Sequence, residues 1–271
     1  MIFLMRIDAR LHTPMYFFLS HLSFVDIGFS AVVIPKMLGD LFEERKTISF
    51  LGCALHQWFF GFLGATTECF LLASVAYDWY VAIFNPLLYS VAMYQRLCIQ
   101  MESGPYAASF TSTMNHTTGA LQLPFCGPNV INHFFCDISP LLILICADIS
   151  VNKMVLFVMA GSMLIFSSLM IITSYIYNLI ANIRIGSAEG RHKAFSTCSC
   201  HLTAASIFYG TLFFNYVQPR ASFSLDLHKV LSVFYIAVIP MSNPLIYSLR
   251  NKEVKDAIHR TIAKIKFCIS N

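Results

Sequence analysis

Two carboxylates and an amide stand inside long apolar runs: Asp26 in FVDIGFS, Glu68 in ATTECFLL and Asn243 in PMSNPLIY. A carboxylate withdrawn from water must pair, take up a proton or hold a cation. By depth along their runs Asp26 and Glu68 are expected to meet, with Asn243 beside a proline-distorted turn. Two readings stay open: a polar cluster, able to hold a sodium ion near Asp26 and Glu68 and to couple helix movements, or structural carboxyls kept neutral by burial. A second constellation, VAYDWYVAIFNP, puts Asp78, Trp79 and Tyr80 where another apolar run ends. No Ser, His and carboxylate set and no phosphate-cradling glycine loop stands at a plausible spacing, so no enzyme is expected. Cys198 and Cys200 are too close for the usual two-ligand zinc loop, and we read them as small apolar helix residues.

The elements that must position these residues follow from composition. Of 271 residues, 57% are hydrophobic and only 12% charged, the mean hydropathy is +0.65 and 25 residues are phenylalanine. A soluble domain carries about 25% charged residues. Runs of at least about 18 apolar residues mark candidate spans, here near 15–38, 54–77, 98–123, 154–181, 197–217 and 229–249. The expectation is an all-α membrane protein, one helical bundle domain over 1–271 with six transmembrane helices and a tail over 250–271. The third span is the weakest, because Glu102, Asn115 and His116 are costly in lipid unless they face protein. Arg6, Arg10, Arg96, Arg184, Arg191, Lys193 and the basic tail would share the cytoplasmic side, and the cysteine-rich loop near 124–153 would lie outside. In the tail, Val254, Ala257, Ile258, Ile262 and Ile265 form one apolar helix face suited to the lipid boundary.

Four segments in order carry a family resemblance: LHTPMYFFLSHLSFVDIGFSAVVIPKML, VAYDWYVAIFNPLLY, SYIYNLIANIRIGSAEGRHKAFSTCSCHLTAASIFYGT and PMSNPLIYSLRNKEVKDA. Together they resemble the signature segments of vertebrate olfactory receptors, members of the rhodopsin-like G-protein-coupled receptors. The resemblance runs from about Leu11 to Lys255. It implies a rhodopsin-like bundle whose first helix has no counterpart here, so the six spans would correspond to the family's second to seventh.

The resemblance further implies that Cys53 bridges to Cys136, and Cys126 to Cys146, with free buried cysteines as the plain alternative. Asp78 and Tyr80 match the first and third positions of the family's Asp-Arg-Tyr triplet, and Trp79 takes the place of the arginine that engages the G protein. Phe84 likewise stands where a cysteine is usual. Arg191, His192 and Lys193 would belong to the surface that meets the G protein.

An odorant pocket in the outer halves of the helices would draw on Phe60, Leu63 and Gly64, on Met159, Met163 and Phe166, and on Phe208, Tyr209 and Leu212. For each, helix packing or lipid contact is the competing reading. The implied partners are a small apolar odorant, a heterotrimeric G protein of the stimulatory olfactory type and membrane lipid, with no nucleic acid. The expected function is odorant detection at the plasma membrane. Two alternatives stand beside it: a receptor remnant that no longer signals, retained in the endoplasmic reticulum if the chain is truncated, and an ion-coupled transporter using Asp26 and Glu68.

Overall fold

The computed structural model describes residues 2–8, 11–43, 47–84, 86–126, 130–131, 135–184, 199, 201–213, 233, 236, 238–243 and 252–269. In chain order the helices are α1 (Ile2–Ile7), α2 (Pro14–Phe42), α3 (Phe50–Gly61), a π-helical turn (Phe62–Thr66), α4 (Thr67–Phe84), α5 (Tyr89–Ala92), α6 (Gln95–Leu121), α7 (Ile138–Ile143), α8 (Ser150–Arg184), α9 (201–213) and α10 (Lys252–Ile269). The architecture is an all-helical bundle.

Local chemistry sets the helix ends. Thr13 is extended, and Pro14 opens α2 at a position where a missing N–H costs nothing. Ser49 starts α3 by accepting a hydrogen bond from the Gly52 N–H at 3.0 Å. Asp137 caps α7 by accepting from the Ile138 N–H at 2.8 Å. Outside the bundle, Asp148 precedes α8. Hydrogen bonds from the Ser150 side chain and backbone hold its carboxyl below the usual carboxylate range.

Three helical stretches, Pro14–Asp40, Phe50–Phe84 and Ser150–Ala181, are long and apolar enough to cross a membrane. They reach further than the apolar runs near 15–38, 54–77 and 154–181, because a helix continues past the hydrocarbon wherever its next turn can still be hydrogen-bonded. The weak run near 98–123 is a helix, α6, of 27 residues. Of the three residues costly in lipid, Glu102 is buried against protein and His116 is half-buried, while Asn115 is exposed; Ser109, Ser112, Thr113 and Thr117 are buried as well. Glu102 pairs with His21 of α2, Oε1 to Nδ1 at 2.8 Å. The runs near 197–217 and 229–249 lie partly outside the described residues.

At the centre stands α4, which buries Leu71, Leu72, Val75 and Ala76 against Leu22 and Val25 of α2 and Phe208 of α9 within one apolar core. Gly28 lets α2 approach closely, since a Cβ there would lie 3.0 Å from the Leu63 Cδ1. By contrast α8 turns Phe157, Ile165, Leu169, Ile172 and Ile183 outward. Such a face suits a lipid surface rather than water.

The span Phe50–Phe84 is one path with an irregularity. Between α3 and α4 the chain makes a π turn in which Gly64 leaves helical geometry (φ −81°, ψ −119°), and the Thr67 hydroxyl donates to the Phe62 carbonyl. A π turn inserts one residue and rotates everything after it.

Two disulfides fasten the loop before α8. Cys53, near the start of α3, is joined to Cys136 across a sequence separation of 83, and Cys126 to Cys146 across 20. At the other end α10 buries Val254 and Ala257, while Ile262 is exposed. Arg260 donates from Nε and Nη2 to one Asp8 oxygen, at 3.0 and 2.6 Å, tying α10 to the segment after α1.

Candidate functional site

Three places gather the residues with chemistry. The first is a cavity of about 100 Å³ between α3, α6, α8 and α9, roofed by the start of α7. On one side Gln57 of α3 and Ser112, Thr113 and His116 of α6 offer hydrogen-bonding groups. On the other, Leu156, Ala160, Met163 and Leu164 of α8 and Leu212 of α9 are apolar. A few polar groups on an apolar surface are the lining of a site for a small organic ligand.

Of the nine residues expected around a ligand, Phe60, Met163 and Leu212 line this cavity. Leu63 packs instead toward Gly28, and Gly64 sits in the π turn. Met159 and Phe166 are exposed on α8, whose cavity face falls on 156, 160, 163 and 164. Phe208 is fully buried in the core, in edge contact with Tyr209, and the Tyr209 hydroxyl donates to the Cys69 carbonyl at 3.2 Å. Two causes explain the differences. The face of α8 is rotated from the one an apolar pattern alone suggests, and the π turn brings Thr66 and Cys69 to the cavity where a regular helix would have kept Leu63 and Gly64 in line with Phe60. The polar wall was not expected. Its signal lay in the weak run of α6, where Ser112, Thr113 and His116 fall at helical spacing.

The second place is the mid-span cluster. Asn243 Nδ2 donates to Glu68 Oε1 at 2.9 Å and to Asp26 Oδ1 at 3.3 Å, and all three residues are buried. Thus one amide bridges α2, α4 and the helical residues at 239–243. The amide supplies its N–H groups to both carboxylates, so the cluster is held by hydrogen bonds between its own side chains. Among the described residues no three His, Cys, Asp or Glu side chains gather to hold a metal. Replacing Asn243 with leucine strips both carboxylates of their shared donor. Asn243→Leu is expected to lower stability by about 2 kcal/mol, the cost of leaving a buried polar group unmet. A melting curve in detergent unchanged from the parent would contradict it.

The third place is the end of α4. Asp78 is fully buried, and its Oδ1 accepts from the Tyr89 hydroxyl of α5 at 2.8 Å. Burial and then the Asp78 carboxylate push the Tyr89 hydroxyl above its ordinary value, so it remains a donor. Trp79 is buried between helices, with its ring 5.8 Å from that of His201 on α9. His201 is in turn hydrogen-bonded through Nδ1 to the Tyr175 hydroxyl of α8 at 2.5 Å. The indole N–H has no hydrogen-bond partner among the described residues. Tyr80 points elsewhere, packing on Phe84 and Tyr177 with ring centroids at 5.5 and 5.3 Å. Arg191, His192 and Lys193 lie outside the described residues, as do Cys198 and Cys200. Cys69 and Cys98 are free and buried.

A family model described as olfactory receptor matches residues 1–265 of the chain. The chain belongs to the olfactory receptor family. It is 70% identical over 271 residues to olfactory receptor 5G9 of Mus musculus, covering 100% of this chain and 86% of that one. To olfactory receptor 5G3 of Homo sapiens it is 60% identical over 269 residues, covering 99% and 85%. Among solved structures it is similar to squid rhodopsin, with a TM-score of 0.65 and 19% identity over 98% of this chain and 80% of that one. That likeness fixes the fold as a rhodopsin-like bundle. An olfactory receptor is a multi-pass membrane protein, a G-protein-coupled receptor for odorants and not an enzyme, and this is the function of the chain.

Proposed function

We propose that this olfactory receptor binds a small, largely apolar odorant in the cavity between α3, α6, α8 and α9, and passes the event to a heterotrimeric G protein of the stimulatory olfactory type. The observation carrying the reading is the cavity itself: an apolar wall on α8 and α9 faces a polar one on α3 and α6, beneath a loop tied down by Cys53–Cys136. In this reading the chain is a single bundle domain of six spans in the plasma membrane, with its basic tail and the Asp78 end of α4 facing the cytoplasm. Asp26, Glu68 and Asn243 form the polar centre of that bundle, joined by the Asn243 amide. Arg191, His192 and Lys193 contribute positive charge to the surface that meets the G protein.

An odorant acts by preferring one of two bundle arrangements, and its effect is limited by that difference in affinity. Here Trp79 opposes the change. A buried ring tilted against His201, which is itself bonded to Tyr175, holds α4, α8 and α9 together at the end where a G protein would enter. This observation also favours a second reading, a receptor remnant that binds odorant but transmits little. The two are separated by the output of a Trp79→Arg variant.

The cavity assignment has its own test. Ala160 lies on the apolar wall, and Ala160→Phe fills the space a ligand would take. With the chain in lipid nanodiscs, odorants that raise the parent's melting temperature are expected to leave Ala160→Phe unmoved, at an unchanged baseline. Undiminished stabilisation of the variant would place the ligand elsewhere.

A further inference from the structure

A second cavity, of about 450 Å³, lies between α1, α2 and α6 and shares no lining residue with the first. Phe24, on its wall, is 56% exposed within a helix long and apolar enough to cross the membrane, so the cavity opens toward lipid. Its volume falls in the range of about 300–1,000 Å³ typical of small-molecule sites.

The polar groups on the wall are His12, Ser20, His21 and Tyr106. His21 is held from behind: its Nδ1 lies 2.8 Å from Oε1 of Glu102, a residue only 4% exposed. A carboxylate at that place selects the tautomer with the proton on Nδ1, which leaves Nε2 as an acceptor. Nε2 has no hydrogen-bond partner among the described residues, although the side chain is a third exposed and lines the cavity. Ser20 already donates to the Phe17 carbonyl at 2.7 Å, and His12 Nε2 to that of Met5 at 2.8 Å. What the wall still offers is an imidazole nitrogen and a hydroxyl oxygen, both of which accept. Their complement is an O–H donor.

The rest of the wall is flat and apolar. The His21 ring stands 4.7 Å from that of Phe17 and 6.1 Å from that of Tyr106, centroid to centroid, and Ile2, Met5 and Phe24 complete the lining. At 1.5 Å per residue His21 lies roughly 10 Å along α2 from Pro14, with Phe24 deeper and His12 before the helix begins. The polar groups are therefore nearer the membrane boundary and the rings nearer its middle. No lysine or arginine lines the cavity among the described residues, so a phosphate headgroup would enter without a counter-charge.

We infer that this cavity is a sterol site, in which a rigid ring system lies against Phe24, Tyr106 and α1 while its hydroxyl donates to His21 Nε2. A phospholipid brings a charged head and two flexible chains, whose ordering costs more than that of a rigid body. His21 recognises the hydroxyl, and Glu102 is the residue that orients it. The site is separate from the odorant cavity and stands or falls without it.

The test uses the full chain in phosphatidylcholine nanodiscs with a photoreactive cholesterol analogue, and reads the labelled peptides by mass spectrometry. Label is expected on the peptides carrying Phe24 and Tyr106, displaced by excess cholesterol. Cholesteryl methyl ether keeps the ring system and lacks the O–H donor, and should compete about fivefold less well, the factor one hydrogen bond supports. His21→Phe keeps a ring and removes the acceptor, so the two competitors should become equal. Because that variant also leaves Glu102 without its partner, Ser20→Phe serves beside it: it fills the cavity with the pair intact. It should lose the label on both peptides while melting as the parent does in sterol-free nanodiscs.

Four results overturn the inference: label on α8 with none on α2 or α6, undiminished label on a folded Ser20→Phe chain, equal competition by cholesterol and its methyl ether in the parent, or displacement of the label by short-chain phosphatidylserine as readily as by cholesterol. The third removes the hydroxyl contact with His21, and the fourth gives the cavity to phospholipid. If His21→Phe does not fold, Ser20→Phe and the methyl ether decide between them.

Discussion

Odorant-stimulated cyclic AMP is expected to rise about tenfold over the parent in a Trp79→Arg variant, the response that a coupling free energy of 1–3 kcal/mol between sites supports. The indole does two things that an arginine would not. It fills the space between α4, α8 and α9, with its ring 5.8 Å from His201, and it supplies a single donor that finds no partner among the described residues. Meanwhile Asp78, next in sequence, uses only one of its carboxylate oxygens: Oδ1 accepts from Tyr89, and Oδ2 has no partner among the described residues. A guanidinium at position 79 brings several donors in a planar fork, and an acceptor stands beside it. Such a pair can form in one arrangement of the helices and break in another, whereas a buried ring favours only the closed packing. Trp79→Leu divides the two effects, since it removes the ring without supplying the fork. If Trp79→Arg reaches the surface, binds odorant as the parent does and still gives no cyclic AMP, the block lies elsewhere.

Loss of the Cys53–Cys136 bridge is expected to have the largest effect on stability. Opening a link across 83 residues releases loop entropy in the unfolded chain worth roughly 4–5 kcal/mol in the chain-entropy model. The paired Cys53→Ser, Cys136→Ser variant should therefore melt far below the parent and lose odorant-induced stabilisation, because the start of α7 that roofs the cavity follows Cys136 directly. Cys126→Ser with Cys146→Ser should cost less, since that bridge spans only 20 residues and the shorter loop is worth about 3 kcal/mol in the same model. Equal melting temperatures for the two paired variants would contradict this account.

How much of this was legible in the sequence depends on whether the signal was local. Depth along an apolar run is local, and it brought Asp26 and Glu68 to the same level, where Asn243 bridges them. The cysteine pairing came from family resemblance, since nine cysteines allow many pairings and spacing does not choose among them. The residues around the cavity were only partly legible. Phe60, Met163 and Leu212 line it, but Met159 and Phe166 face outward, because an apolar stripe in a membrane protein is as suited to lipid as to a ligand. The contact between Trp79 and His201 joins residues far apart in sequence and leaves no periodic trace. His116 stood out as costly in lipid, and that cost was the sign of its place on the cavity wall.

The π turn at Phe62–Thr66 has a consequence for how this span is drawn. A helical wheel assumes one angular step per residue from end to end, and a single inserted residue offsets the diagram by about 100°. Plotted on one wheel, the side chains that face the cavity above the turn and those that fill the core below it form two stripes that do not line up. Two wheels, one ending at Gly61 and one beginning at Thr67, restore the alignment, and positions transferred from a regular helix across this point would be attributed to the wrong neighbours.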